Sequence, residues 1–155
     1  MRLRLPVPLR WADLDAYGHV NNVEMLRVLE EARIAAFWRH EADAPTWPTA
    51  VLDAGPTAAT HTFVAAMEIE YLAPLGYHRD PVTVEMWIGN LGGASIDVCY
   101  EVTRGDAAAR TVFARARTTI VLVDAATGRP RRITAQERAA WEPYLGEPVA
   151  LRRRR

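Results

Sequence analysis

The sequence lacks lysine altogether and contains a single cysteine and a single serine. Without lysine it cannot form a Gly-x-x-x-x-Gly-Lys phosphate-binding loop. The lone cysteine, Cys99, excludes an internal disulfide bond, and its place inside an alternating, strand-like run predicts a packing role. The lone serine, Ser95, is outside any Gly-x-Ser-x-Gly motif, which excludes the serine-triad hydrolases built on that motif.

Charge and hydropathy exclude further classes of partner. The formal net charge is zero, so the balance of basic and acidic residues does not indicate a nucleic-acid partner. No run approaches the ~18 apolar residues of a membrane-spanning helix. The N-terminus has too little apolar length for a signal peptide. We therefore expect a cytoplasmic protein without a membrane or nucleic-acid partner.

The length of 155 residues, with half of them apolar, predicts one domain with a substantial core. We place this domain at residues 1–146 and an arginine-rich C-terminal tail at 147–155, and we expect its last four residues, Arg152 to Arg155, to be a solvated end. A partly alternating run at 3–9 predicts a first strand, and four later runs alternate apolar and polar residues at period two: 64–73, 81–89, 95–104 and 110–124. Such alternation indicates an antiparallel sheet with one dry face.

One long helix is predicted between the first strand and the other four. From residue 23 to about 40, apolar side chains recur at three- and four-residue spacing and fill most of the helix circumference. We therefore expect this helix to be enclosed on most sides, with Asn21 or Asn22 as its N-cap. A Thr-Ala-Gln-Glu start at Thr134 predicts a second, short helix to about residue 144. On the outer sheet face, glutamates and Asp97 are expected to pair with Arg115 and Arg117.

The turn at residues 10–22 contains the residues best suited to chemistry. It places two carboxylates, a histidine and two asparagines directly ahead of the long helix. A helix N-terminus presents unbonded backbone N–H donors and partial positive charge. A carboxylate beside such donors suits acyl transfer, in which a carbonyl is polarised while a carboxylate or an activated water attacks it. Asp15 can equally cap the turn, and Asp13 is expected to brace it.

The same residues carry a resemblance to a known family. The motif Trp11-Ala-Asp-Leu-Asp-x-x-Gly-His-Val-Asn-Asn22, the helical Glu30-x-Ala-Arg33 and the element order resemble the hot-dog-fold acyl-CoA thioesterases of the 4-hydroxybenzoyl-CoA thioesterase family. The resemblance implies an α+β hot-dog fold, with an antiparallel five-stranded sheet wrapped around one long central helix. It also implies hydrolysis of acyl-CoA to free acid and CoA, with no cofactor beyond the CoA of the substrate. Members are homodimers or homotetramers whose active sites lie across the subunit interface.

The resemblance also assigns roles to individual positions. Asp15 matches the catalytic carboxylate, acting as nucleophile or as general base on water. The backbone N–H near Asn22 matches the donor that polarises the thioester carbonyl. Apart from the resemblance, His19 is a candidate acid, base or substrate contact by its residue type, with a buried, hydrogen-bonded loop histidine as the alternative. Residues that fall where members hold the pantetheine arm are Gly92, Gly93 and Ser95.

Several alternatives stay open at this point. Glu30 is the fallback catalytic carboxylate, because the other thioesterase branch of this fold places its carboxylate on the helix; an ion pair with Arg33 is its structural alternative. The pair Asn21-Asn22 occupies positions at which founding members carry aromatic or histidine residues. The resemblance therefore does not determine which acyl group is preferred. The competing functions are a hot-dog enoyl-CoA hydratase and a non-catalytic acyl-CoA-binding module.

Metal ions and phosphates are the remaining classes of ligand. Two aspartates and a histidine in the turn match no metal motif, so no metal site is expected. By charge alone, the arginines that could meet the CoA phosphates are Arg129, Arg131 and Arg132.

Overall fold

The computed structural model describes residues 1–40 and 46–152. The chain begins with β1 (Leu3–Val7), a one-turn 3₁₀ helix (Trp11–Asp13) and α1 (Asn22–Phe37). Four strands follow, β2 (Thr60–Tyr71), β3 (Val82–Leu91), β4 (Ser95–Arg104) and β5 (Thr111–Asp124), and then α2 (Ala135–Trp141) and a 3₁₀ turn (Glu142–Tyr144). The predicted loop at 41–60 is described only from residue 46 onward.

The five strands form one antiparallel sheet in the order β1-β3-β4-β5-β2. This confirms the predicted α+β class and the five-stranded antiparallel sheet. β4 has the predicted bounds, whereas β2 begins at Thr60, four residues earlier than expected. Its register shifts between Val64 and Ala66, so one residue bulges there and period-two alternation does not run through the whole strand.

The core lies between one face of the sheet and α1. The buried positions of α1 recur at spacings of three and four, and they are Met25, Val28, Leu29, Ala32, Ala36 and Phe37. They form one cluster with the inward-facing residues of β3 and β4. Because this stripe covers one side only, the prediction of a helix enclosed on most sides is wrong. Val23 and Leu26, on the other side, are 65% and 36% exposed.

The expectation of one long central helix also needs correction. α1 has 16 residues and precedes four of the five strands, and the chain has a second, short helix in α2. α2 starts as predicted. The Thr134 hydroxyl accepts a hydrogen bond from the Glu137 amide, and the Glu137 carboxylate accepts one from the Thr134 amide.

The outer face of the sheet carries the cross-strand ion pairs. Arg115 contacts Glu101 at 3.0 Å and Arg117 contacts Glu68 at 2.7 Å, which confirms the predicted pairing for both arginines. Within residues 1–40 and 46–152 no arginine pairs with Asp97, whose carboxylate instead accepts the hydroxyl hydrogen of Thr119 on the neighbouring strand. The predicted ion pair of Asp97 is therefore wrong.

Residues 146–152 form a C-terminal strap across this outer face. The Trp87 indole donates to the Glu147 carbonyl at 2.8 Å, and the Val149 amide donates to the Cys99 sulfur at 3.4 Å. Farther along, the Arg152 amide donates to the Glu70 carboxylate at 2.8 Å. The part of the tail that the structure describes is thus bound to the sheet. Cys99 is fully buried beneath it, in the packing role predicted for it.

Candidate functional site

A closed turn holds Asp15 directly ahead of α1. The Asp15 amide donates to the His19 carbonyl at 2.8 Å, and the Gly18 amide donates to the Asp15 carbonyl at 3.1 Å. Gly18 has φ +75°, a conformation that glycine adopts without strain. Leu14 and Val20 bridge across the base of the turn. The backbone between β1 and α1 is therefore fixed by its own hydrogen bonds.

The Asp15 carboxylate is oriented by backbone amides. Its Oδ1 accepts hydrogen bonds from the amides of Tyr17 at 2.8 Å and His19 at 3.2 Å. The residue is half-buried, and within residues 1–40 and 46–152 no cation pairs with it. Within the same residues its other oxygen, Oδ2, accepts no hydrogen bond and is therefore available for a substrate.

Asp13 has the opposite environment. It is fully buried, and its carboxylate accepts from the Arg10 amide at 2.7 Å and from the guanidinium of Arg27 at 2.8 Å. Burial by itself raises the pKa of Asp13, but the hydrogen bonds from Arg10 and the charge of Arg27 outweigh it and leave this pKa below its usual value. The Asp13 carbonyl also accepts from the Asn21 amide at 2.8 Å. Asp13 therefore braces the turn against the start of the helix.

The first turn of α1 has backbone N–H donors that nothing accepts within the described part of the chain. Asn21 is the N-cap, and its side-chain oxygen accepts from the Val23 amide at 3.1 Å. No residue in the described part of the chain accepts the Asn22 N–H. The hydroxyl of Tyr71, at the end of β2, donates to the Asn22 carbonyl at 3.2 Å. An unbonded donor thus stands at the positive end of the helix dipole.

A cleft of about 270 Å³ lies beside this helix start. It is lined by His19 and Met25 on one side and by Tyr71 and residues 72–75 on the other. Sequence reasoning assigned no role to Tyr71, since only the strand register places its hydroxyl at the helix start. Burial raises the pKa of Tyr71, so the hydroxyl stays protonated and can donate. His19 is exposed and borders the cleft.

The glycine turn predicted to hold the pantetheine arm lies at the other end of the same sheet. Ser95 pairs with Val121, close to where β5 ends and β2 begins, whereas the Asp15 turn lies where β1 and β2 end. The Gly93 carbonyl accepts from the Ile133 amide at 2.8 Å, and the Gly92 carbonyl accepts from Arg138 at 2.8 Å. A single chain therefore does not bring this turn to Asp15.

The remaining candidates are separate from Asp15 as well. Glu30 is exposed and forms no ion pair with Arg33, whose guanidinium instead donates to the Tyr100 hydroxyl at 3.4 Å. The expected structural pair between Glu30 and Arg33 is therefore wrong. Of the three arginines predicted to meet the CoA phosphates, Arg131 contacts Glu137 at 2.6 Å. The other two, Arg129 and Arg132, are exposed.

The described residues hold neither a metal cluster nor a membrane-spanning helix. Residues 1–40 and 46–152 contain no group of three or more histidine, cysteine, aspartate or glutamate side chains able to hold a metal ion. Among the helices of those ranges, none has the length and hydropathy needed to cross a membrane.

The sequence matches the thioesterase-like superfamily over residues 9–145, which is most of the chain. The protein belongs to this superfamily. The match includes the Asp15 turn, α1 and all of the sheet except β1. It confirms the resemblance at the level of the superfamily, and membership of the 4-hydroxybenzoyl-CoA thioesterase family stays a prediction. No curated protein matches the sequence.

Solved structures of thioesterases resemble this superfamily member along its length. A thioesterase from Thermus thermophilus, complexed with coenzyme A and Zn, is 30% identical over 94% of this chain and 95% of its own, with a TM-score of 0.69. YbaW, a probable thioesterase from Escherichia coli, is 26% identical over 94% and 99%, with a TM-score of 0.66. A mutant of 4-hydroxybenzoyl-CoA thioesterase, complexed with 4-hydroxybenzoyl-CoA, shares the fold at 18% identity over 90% and 98%, with a TM-score of 0.69.

Proposed function

We propose that the protein is an acyl-CoA thioesterase of the hot-dog type, which hydrolyses a thioester to free acid and CoA. One observation carries this proposal. The Asp15 carboxylate, without a cationic partner in the described chain, precedes a helix whose Asn22 amide has no acceptor there. The coenzyme A bound to the Thermus thermophilus thioesterase supports the substrate class.

The chemistry follows from these two groups. The Asn22 amide donates to the thioester carbonyl oxygen, and the helix dipole stabilises the negative charge that develops on that oxygen. Asp15 either attacks the carbonyl carbon and forms an anhydride that water then cleaves, or removes a proton from the attacking water. In both routes the carbon–sulfur bond breaks and the CoA thiolate leaves. We propose that His19, at the border of the cleft, donates a proton to that sulfur and takes one back from solvent.

The complete site is proposed to need two chains. β2 is an edge strand, one side of which pairs with no strand among the described residues, and its Phe63 and Val64 are 55% and 51% exposed. It begins at the sheet end that carries the Gly92–Ser95 turn and ends beside the helix start. Antiparallel pairing of two β2 strands would therefore set the glycine turn of each chain near Asp15 of the other. A homodimer with two composite sites accounts for both halves of the predicted site.

Thiol release from a panel of acyl-CoAs tests the proposal. We expect the wild type to release CoA from at least one acyl-CoA and the Asp15→Asn variant to release it far more slowly. Equal rates for the two proteins would contradict the proposed role of Asp15. Water addition to an enoyl-CoA without thiol release would identify a hydratase, and binding of acyl-CoA without either reaction would identify a binding module.

A further inference from the structure

A second cavity, of about 230 Å³, lies between the later turns of α1 and the first half of β2. Its walls are mainly apolar and include Ile34, Phe37, Leu52, Phe63 and Ile120. Two charged residues, Glu30 and Arg33, also line it. An apolar cavity with a few polar groups on one side is typical of a ligand site.

Arg33 is the unusual member of this lining. It is half-buried, and the side-chain contact that it makes is the long one to the Tyr100 hydroxyl, at 3.4 Å. Arg27, on the same helix, contacts the Asp13 carboxylate at 2.8 Å, but within residues 1–40 and 46–152 no carboxylate lies within 4.0 Å of Arg33. A guanidinium has five N–H donors and is costly to bury without acceptors. Arg33 therefore has donors available for an acceptor from outside the chain.

The cavity is aligned with the cleft at the helix start. α1 contributes Met25 to the cleft and Arg33 to the cavity, while β2 contributes Tyr71 to the cleft and Val64 to the cavity. Arg33 follows Asn22 by eleven residues, about 16 Å along the axis at about 1.5 Å per residue. Helical side chains lean toward the N-terminus, which brings the guanidinium closer to the proposed carbonyl site.

We propose that this cavity binds the far end of the acyl group and that Arg33 donates hydrogen bonds to an oxygen there. Preferred substrates then carry a carboxylate or a hydroxyl at the end remote from the thioester. This inference rests on the proposed thioesterase function. Glu30, which is exposed and lines the same cavity, distinguishes a terminal carboxylate from a terminal hydroxyl. Its carboxylate repels a carboxylate on the substrate, but it accepts a hydrogen bond from a hydroxyl.

Steady-state kinetics with matched acyl-CoAs test the proposal. The three substrates are octanoyl-CoA and its analogues with a terminal hydroxyl or a terminal carboxylate. We expect at least one oxygenated substrate to have a KM about tenfold below that of octanoyl-CoA, as a charge-assisted hydrogen bond allows. Arg33→Met should remove this preference, so that within this variant the KM values of the oxygenated substrates are no longer below that of octanoyl-CoA. Arg39→Met, at an exposed arginine that contacts Asp53, is the matched control and should keep the preference.

Two further variants complete the design. Arg33→Lys keeps the charge and should retain part of the preference even if Arg33→Met fails to fold. Glu30→Gln should lower the KM of the carboxylate substrate if that is the preferred one, and raise the KM of the hydroxyl substrate otherwise. Equal KM values for all three substrates in the wild type, or an equal rise for all three in both Arg33 variants, would overturn the proposal.

Calorimetry separates this inference from the proposed function. If no acyl-CoA is hydrolysed, the thioesterase function fails. Tighter binding of an oxygenated acyl-CoA than of octanoyl-CoA, lost in Arg33→Met, would still support the cavity as its binding site. The same affinity for all three compounds would overturn it.

Discussion

Asp13 and Asp15 are two residues apart, yet their carboxylates have opposite kinds of partner. Asp13 is fully buried and bonded to the guanidinium groups of Arg10 and Arg27. Asp15 is half-buried and accepts from the backbone amides of its own turn. One carboxylate therefore fixes the turn against the helix, and the other is left available for a substrate.

Asp13→Asn should lower stability without removing the reaction's chemical groups. We expect a loss of about 2 kcal/mol at pH 7, because charge-assisted hydrogen bonds to Arg10 and Arg27 are weakened. The folded pKa of Asp13 lies below its usual value. Its stabilisation is therefore complete above the unfolded pKa, about 3.9, and is lost as the pH falls through the folded pKa.

Urea unfolding between pH 7 and about pH 2.5 checks this prediction. The stability of the wild type should fall more steeply with acid than that of Asp13→Asn, so the two curves should converge at low pH. Parallel curves for Asp13→Asn and the wild type would contradict the assigned role of Asp13.

Asn21→Ala should destabilise the start of α1. The Asn21 side chain bonds the Val23 amide, and loss of an N-cap costs about 1 kcal/mol. Asn21→Ser, which retains a capping oxygen, should stay within a few tenths of a kcal/mol of the wild type. Thermal melting of the two variants checks this, and equal losses in both would show that the cap bond contributes nothing.

Val64→Glu should separate the proposed dimer. It places a charge on the exposed edge strand β2, where the proposed partner strand would pair. We expect light scattering to report a monomer and thiol release to fall with it, because each site would lose half of its residues. Ala108→Glu, in the exposed β4–β5 turn, is the control. A dimeric, fully active Val64→Glu would contradict the composite site.

Removal of residues 146–155 should uncover Trp87 and Cys99. In the strap, the Glu147 carbonyl accepts a hydrogen bond from the Trp87 indole, and the Val149 amide donates to the Cys99 sulfur. We expect a red shift of tryptophan fluorescence and faster labelling of Cys99 by a thiol reagent. The pKa of this thiol, now raised by burial, should fall toward its ordinary value. Unchanged labelling would show that the strap does not protect the outer face.

Local patterns in the sequence predicted most of the fold. Alternation indicated five strands because one face of this sheet is buried, and Thr134 with Glu137 marked the start of α2. The exposed side of α1 was missed, since residues such as Leu26 are apolar although a single chain leaves them uncovered. The strap was missed because residues 146–152 have no periodic pattern and bind mainly through their backbone.

The site was predicted only where it is local in the chain. The Asp15 turn and the capped start of α1 are neighbours in sequence, so the motif at residues 11–22 identified both. Tyr71 reaches Asn22 through strand pairing, which the sequence does not specify. The Gly92–Ser95 turn is at the opposite end of the sheet, so its relation to Asp15 depends on a second copy of the chain.

The rate of CoA release by Asp15→Asn tests the central claim most directly. Glu30→Gln is the matched control, since it removes a carboxylate charge from α1 without changing the turn that holds Asp15. We predict a loss of at least about a hundredfold in kcat for Asp15→Asn, with an unchanged melting temperature, and less than about a threefold change for Glu30→Gln. Wild-type turnover by Asp15→Asn, or a loss confined to Glu30→Gln, would contradict the account.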